Sequence, residues 1–270
     1  MRVGFIGTGN MATAIIKGII AKGFLSANKV YLTDLNLDKA KSLADTVGAN
    51  VVISNQQLIE SVDYVILAVK PNVMEQVLLE SRDEINNHKP VLVSIAAGTP
   101  TDKLYRYLQT DEKVPIVRVM PNVNVMVGMG AAAICGHDYT DDTMLNFVVN
   151  MFESVGKAWL LAEEDFSNFT ALAGSSPAYA YLFIDSIARA GVKHGLPKQI
   201  ANEMAAQAVL GSAKMILETG ENPWTLIDQV CSPGGTTVAG LLTLEDNAFI
   251  STVVKGIDAT IAKDQELNNK

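Results

Sequence analysis

Arg2-Val3-Gly4-Phe5-Ile6-Gly7-Thr8-Gly9-Asn10-Met11-Ala12 reads as a short buried strand, a glycine turn and the start of a helix. Gly7 allows a tight turn. Gly9 lets backbone approach a pyrophosphate. Ala12, in place of a third glycine, is still small enough for close helix–strand packing. The helix expected over 10–22 aims free N–H groups and its positive dipole end at the phosphates. The pattern G-x-G-x-x-A is weak by itself. Placed after a strand and at the opening of a helix, it reads as a dinucleotide-binding fingerprint.

The chain continues outward from that turn in a regular alternation. Gly23 is a C-cap, and 29–33 is a second strand with Asp34 at its end. Asp34 follows Ala12 by 22 residues (34 − 12), near the spacing at which an acidic residue takes the ribose hydroxyls. Its charge repels a 2′-phosphate and so favours NADH over NADPH; the alternative role is a turn or cap leading into a helix over 38–47. Further strands are expected at 51–53, 64–69, 90–95, 114–120, 130–134 and 157–161, with a helix over 141–155. The run 64–69 is apolar throughout, as a strand covered on both faces should be, and it stops at Lys70-Pro71. Lys70 there is either a cofactor-side residue acting through its backbone or a surface lysine. Ala96-Ala97-Gly98 after the fifth strand either lets backbone approach a nicotinamide or is a plain connection. Beyond 162 the period changes to helical, with helices expected over 165–173, 178–194, 198–219, 237–244 and 249–263. Ser176-Pro177 reads as an N-cap followed by proline at the first helical position. The fold class is therefore α/β: a Rossmann-type doubly wound sheet over 1–161, then an all-α dimerisation and substrate-binding domain over 162–270.

Composition narrows the function. The 270 residues suit one large or two modest domains, and 49% are hydrophobic, enough for a sizeable core. A net charge of −8 argues against nucleic acid as a partner but leaves room for a small anion at a local site. The two cysteines, Cys135 and Cys231, and the three histidines show no metal spacing, so no metal is expected. No signal peptide and no run of membrane-spanning length is seen, which makes a cytoplasmic, membrane-free protein the default. The helix over 198–219 carries small residues (Ala201, Ala205, Ala206, Ala208, Gly211, Ala213) that permit close helix contact. A helical half this short and apolar is expected to pack against a second subunit.

A second stretch carries chemistry. In Cys231-Ser232-Pro233-Gly234-Gly235-Thr236-Thr237, two glycines just before a helix make a nest of N–H groups sized for a carboxylate or phosphate, and Thr236 and Thr237 add hydroxyls. Gly174-Ser175-Ser176-Pro177 repeats the logic of small residues before a helix start. Together these give a nicotinamide cofactor in the first domain and a small carboxylate substrate at helix ends of the second.

The chain resembles the pyrroline-5-carboxylate reductases over essentially its full length. The resemblance is carried by residues 7–12, Ala68-Val69-Lys70-Pro71, Arg118-Val119-Met120-Pro121-Asn122, Gly174-Ser175-Ser176-Pro177-Ala178-Tyr179 and Ser232-Pro233-Gly234-Gly235-Thr236-Thr237, the last being the family's signature block. It implies cofactor contacts at Ile6, Gly7, Thr8, Gly9, Asn10, Met11, Asn55, Ala68, Val69, Lys70, Pro71, Ile95, Ala96 and Ala97. It also implies a carboxylate site at Gly234, Gly235, Thr236 and Thr237. Ser175 joins that substrate set, and Thr237 is the catalytic position, with its hydroxyl at the ring nitrogen. The helical half matches a domain that forms an intertwined homodimer, in several relatives a ring of dimers. One departure stands out. Many NADPH-preferring relatives carry serine, arginine or threonine after the second strand, where this chain has Thr33-Asp34-Leu35-Asn36. Ser176 replaces a glycine common in relatives, a small change.

The implied substrate is a cyclic imine with a carboxylate, reduced by hydride from NADPH or NADH. Protonating the imine nitrogen makes the carbon electrophilic, so the site needs a hydrogen-bonding group there more than a strong base. Two other readings remain open on the sequence. A β-hydroxyacid dehydrogenase would want a lysine in the helical half, and none occurs between Gly174 and Lys193. A dinucleotide sensor would not need the second anion nest. On the reductase reading, Thr237→Ala lowers kcat/KM about ten- to a hundredfold, roughly 1.4–2.8 kcal/mol, measured by steady-state oxidation of the reduced cofactor.

Overall fold

The computed structural model describes residues 1–268. Among them one eight-stranded sheet runs in the order β3-β2-β1-β4-β5-β6-β7-β8. The strands are β1 (Val3–Ile6), β2 (Val30–Thr33), β3 (Asn50–Val51), β4 (Tyr64–Leu67), β5 (Val91–Ser94), β6 (Ile116–Pro121), β7 (Gly130–Gly136) and β8 (Gly156–Leu160). Strands β1 to β6 pair parallel; β7 runs antiparallel to β6, and β8 parallel to β7. The helices of this half are α1 (Asn10–Ala21), α2 (Leu37–Val47), α3 (Asn55–Ser61), α4 (Pro71–Glu80), α5 (Arg82–His88), α6 (Thr101–Leu108) and α7 (Asp142–Glu153).

Alternate strand residues feed two cores. Val3, Phe5, Ile66 and Val93 face one side, against Ile15, Ile16 and Ile19 of α1 and Phe152 of α7. Ile6, Val65, Leu67 and Leu92 face the other, against Leu58, Met74, Leu78 and Leu104 of α3, α4 and α6. This is why β4 is apolar at every position: both its faces are covered. Each fully buried Leu, Ile or Phe contributes about 1.5–3 kcal/mol, so helices as short as α3 are held by packing rather than by propensity.

Several expected bounds shift for local reasons. Strand 51–53 shrinks to Asn50–Val51 because Ser54 caps α3 through the Gln57 N–H at 3.2 Å. The helix expected over 165–173 is instead a short α8 (Phe166–Phe169) running into a π-helical turn, Thr170–Gly174. The widened turn offers the Ala173 carbonyl to the Asn122 amide at 2.9 Å. The cap of α9 (Ser176–Lys193) is Ser175, one residue before the expected Ser176, and its hydroxyl makes no capping bond. The remaining helices are α10 (Lys198–Thr219), α11 (Pro223–Val230), α12 (Thr236–Asp246) and α13 (Phe249–Asn268).

Two compact units result: 1–174 together with 261–268, and Ser175–Thr260. The sequence divides the chain after 161, whereas the first unit extends to Gly174. The reason is that Phe166 and Phe169 pack on Ala133 and Cys135 of β7. In the second unit α9 and α10 meet through Ala188, Ala201 and Ala205. Of the other small residues of α10, Ala206, Ala208 and Ala213 are exposed. No residue of α11, α12 or α13 is buried, and Phe183, Met204, Leu210, Trp224 and Val253 are exposed.

Gly156 opens β8 opposite Gly130, and a Cβ there would fall on the Gly130 backbone. Gly156→Ala is expected to destabilise the protein by roughly 1–3 kcal/mol, read as a lower midpoint in urea unfolding.

Candidate functional site

Parallel register builds the first half of the site. Ile6 pairs with Thr33 on one side and Leu67 on the other, and Leu67 pairs with Ser94. Strands β1, β2, β4 and β5 therefore end level. The residues that follow them (Gly7–Met11, Asp34, Ala68–Pro71, Ile95–Ala97) leave the same edge of the sheet. Ligands of open α/β sheets bind outside this carboxyl edge.

The glycine turn is shaped for close approach. Gly7 has φ +98°, and a Cβ there would lie 2.8 Å from the Ala68 carbonyl oxygen. Gly9 is the N-cap of α1, and a Cβ there would meet nothing within 4 Å. No side chain caps α1 and no acidic residue occupies its first turn, so its leading N–H groups and positive dipole end are available to an anion. Ala12 is buried against the sheet. These features fit a dinucleotide pyrophosphate.

Asp34 is tied into this turn. Its Oδ2 accepts from the Thr8 N–H at 2.7 Å and the Thr8 hydroxyl at 2.8 Å; its Oδ1 accepts from the Asn36 N–H at 2.9 Å. Burial raises its pKa, but the Asn36 and Thr8 donors and the charge of Lys39 outweigh that, and the net value lies below the ordinary 3.8. The carboxylate is thus held ionised beside the turn.

Other predicted cofactor residues fall at helix starts. Asn55 begins α3, and Lys70 is the N-cap of α4 with Pro71 first in the helix. Ala96 is buried in the connection before α6, whereas Ala97 is exposed. A groove of about 590 Å³ runs along α1, lined by Thr13, Lys17, Lys22, Met126 and Val127; of the predicted residues it touches Asn10 alone.

The second unit holds the other nest. Gly234 has φ +67°, and Gly235 is the N-cap of α12, its N–H donating to the Ser232 carbonyl at 3.0 Å. No side chain caps α12, and Thr236 and Thr237 are its first two residues, both exposed. Ser175 stands in the corresponding place before α9.

One buried cluster was not legible in the sequence. Arg118, 4% exposed, pairs with Glu163 at 3.0 Å and lies 4.5 Å above the Phe166 ring. Glu163 also accepts from the Thr101 N–H and hydroxyl, both at 2.8 Å. Removing Glu163 would leave the buried Arg118 charge without this partner, which is destabilising. Nearby, burial first and Glu163 second push the Cys135 thiol up to about 12. Among the described residues no cluster of His, Cys, Asp or Glu could hold a metal ion, and no helix is long and apolar enough to cross a membrane.

Comparison with known proteins points to one family. The family model described as pyrroline-5-carboxylate reductase dimerisation matches residues 163–267, and one described as NADP oxidoreductase coenzyme F420-dependent matches 2–98. The pyrroline-5-carboxylate reductase of Escherichia coli is 39% identical over 267 residues, covering 99% of this chain and 98% of its own. The solved 1-pyrroline-5-carboxylate reductase of Streptococcus pyogenes superposes with a TM-score of 0.86 at 38% identity, covering 98% of both chains. The Plasmodium falciparum pyrroline carboxylate reductase, solved with NADP bound, has a TM-score of 0.86 at 30% identity over 99% of this chain and 98% of its own.

Because the folded-state pKa of Asp34 is lowered, its stabilisation is full above 3.8 and is lost as pH falls through the folded value. The stability gap between wild type and Asp34→Asn is therefore expected to narrow below that pH in urea titrations.

Proposed function

The chain belongs to the pyrroline-5-carboxylate reductase family, and we propose on that premise how its residues divide the work. The reaction is the NAD(P)H-dependent reduction of 1-pyrroline-5-carboxylate to L-proline, the last step of proline biosynthesis. In our reading the cofactor lies across the carboxyl edge of the sheet. Gly7, Gly9 and the first N–H groups of α1 (Asn10, Met11) receive the pyrophosphate. Ile6, Thr8, Asn55, Ala68, Val69, Lys70 and Pro71 line its path, and Ile95, Ala96 and Ala97 take the nicotinamide. When bound, that ring supplies the hydride.

The substrate carboxylate rests on the N–H groups of Gly234, Thr236 and Thr237, with Gly235 shaping the turn through its own bond to the Ser232 carbonyl and Ser175 alongside. Thr237 orients the ring nitrogen with a neutral hydroxyl and leaves the proton on the imine. Fixing the carboxylate fixes the imine carbon, and such positioning can contribute up to about 7–11 kcal/mol of the barrier. A dimerisation domain supports the homodimer. Assembly into a ring of dimers and a cytoplasmic location complete the reading, checked by light scattering and by fractionation.

The observation that carries the cofactor choice is the Asp34 carboxylate, held ionised by Thr8 and Asn36 at the end of β2. A 2′-phosphate beside it meets a like charge, whereas a ribose hydroxyl meets an acceptor with about one lone-pair site still open. Thr33 is buried and does not offset this charge. Steady-state oxidation of NADH and NADPH with pyrroline-5-carboxylate is expected to give the higher kcat/KM with NADH. Asp34→Ser should shift that ratio toward NADPH by about tenfold, near 1.4 kcal/mol. An NADPH preference in the wild type removes Asp34 from cofactor selection, and no turnover with either removes the reductase reading itself.

A further inference from the structure

Residues 95–100 connect β5 to α6, and their own ties are long. The Ile95 N–H reaches the Leu67 carbonyl at 3.3 Å, the Ala96 N–H reaches the Ser94 hydroxyl at 3.3 Å, and the Thr99 hydroxyl reaches the Ala97 carbonyl at 3.3 Å. Gly98, at φ +68°, adds no side chain. The N-cap of α6 is Pro100, which has no side-chain group to cap the helix. The downstream end of this connection is instead held from 62 residues away, by the Glu163 carboxylate on the Thr101 N–H and hydroxyl at 2.8 Å each. Hydrogen bonds to an ionised acceptor are roughly twice as strong as neutral ones. The negative charge also sits where the helix dipole favours it. Arg118, buried and itself held over Phe166, fixes the far side of the same carboxylate. One side chain therefore joins β6, the start of α6 and the segment after β8.

We propose that Glu163 is a positioning residue for hydride transfer: by clamping Thr101 it fixes the 95–100 connection on which the nicotinamide rests. The inference depends on the reading of Ile95–Ala97 as the nicotinamide site. Glu163 touches neither cofactor nor substrate; it acts through Thr101. The loss it predicts is confined to the ring end of the cofactor, because the adenine end rests on β1, β2 and α1, which Glu163 does not reach.

The test uses ligands that differ only in the nicotinamide: NADPH against 2′-phospho-ADP-ribose, and NADH against ADP-ribose, titrated by calorimetry into the full-length protein. In Thr101→Val, which leaves the Arg118–Glu163 pair intact, and in Glu163→Gln, the reduced dinucleotide should weaken about five- to tenfold while its nicotinamide-free counterpart changes less than about twofold. Over the same variants kcat should fall while KM for the imino acid stays within about twofold, and Thr101→Ser should restore both. Should Glu163→Gln not fold, Thr101→Val, which removes the hydroxyl arm of the clamp and keeps the N–H arm, should show the same selective loss at smaller size, and its absence overturns the proposal. Equal weakening of both members of a pair, or no change in either, overturns the proposal. Ala97→Leu separates the two readings. If it weakens the dinucleotide and Thr101→Val does not, Glu163 has no positioning role and the loop reading stands. If Ala97→Leu changes nothing, the loop is not at the nicotinamide and the proposal falls with that reading.

Discussion

Parallel pairing of β1 with β2 on one side and β4 on the other is the constraint on which the rest depends. A parallel ladder in level register sends every chain out of the sheet at the same edge, so residues 60 or 90 positions apart arrive together without any contact between them being specified individually. The turn after β1 must then leave within one residue, against the Ala68 carbonyl, and only a residue without Cβ fits at Gly7. Asp34 leaves at the same edge one strand over, which is why its carboxylate can reach back to Thr8. The site follows from sheet geometry first and from side-chain chemistry second.

The two units solve the burial problem differently. The sheet half is covered by helices on both faces and closes its own core. The helical half keeps one small internal seam of alanines between α9 and α10 and leaves Met204, Leu210, Trp224 and Val253 outside. Exposed apolar residues of that number are unfavourable in water, and they fall within the residues that the family dimerisation model matches.

Much of this was legible in the sequence because it rests on local signals. The strands announced themselves as short apolar runs, the glycine turn by its spacing, and the late helices by their change of period. Five helices were not marked out: α3, α4, α5, α6 and α11. α3, α5 and α6 are short and largely polar, and α4 has a weak apolar stripe, so tertiary packing rather than pattern holds them. Ser54 as a cap and Pro71 as a first residue were the signals available. The reversal of β7 is marked only by the length of its connection, since the eight residues between β6 and β7 (122–129) are too few for a parallel crossover. The π turn at Thr170–Gly174 is silent, being set by the Asn122 amide far away in sequence. Arg118 and Glu163 are a lone arginine in a strand and one of three consecutive acids. Nothing in their surroundings pairs them, because the pairing is made by the sheet.

The buried thiol of Cys135 has a practical meaning for handling the protein. With its pKa pushed up to about 12 and its sulfur enclosed by β7 and α8, it presents almost no thiolate at neutral pH and little access to reagents. Cys231, the other free cysteine, is only partly covered and stands three residues before Gly234. A maleimide or a fluorinated alkyl halide added to the unaltered protein therefore has one reactive address per chain. That address borders the nest before α12, giving a spectroscopic reporter on this turn without removing any native residue.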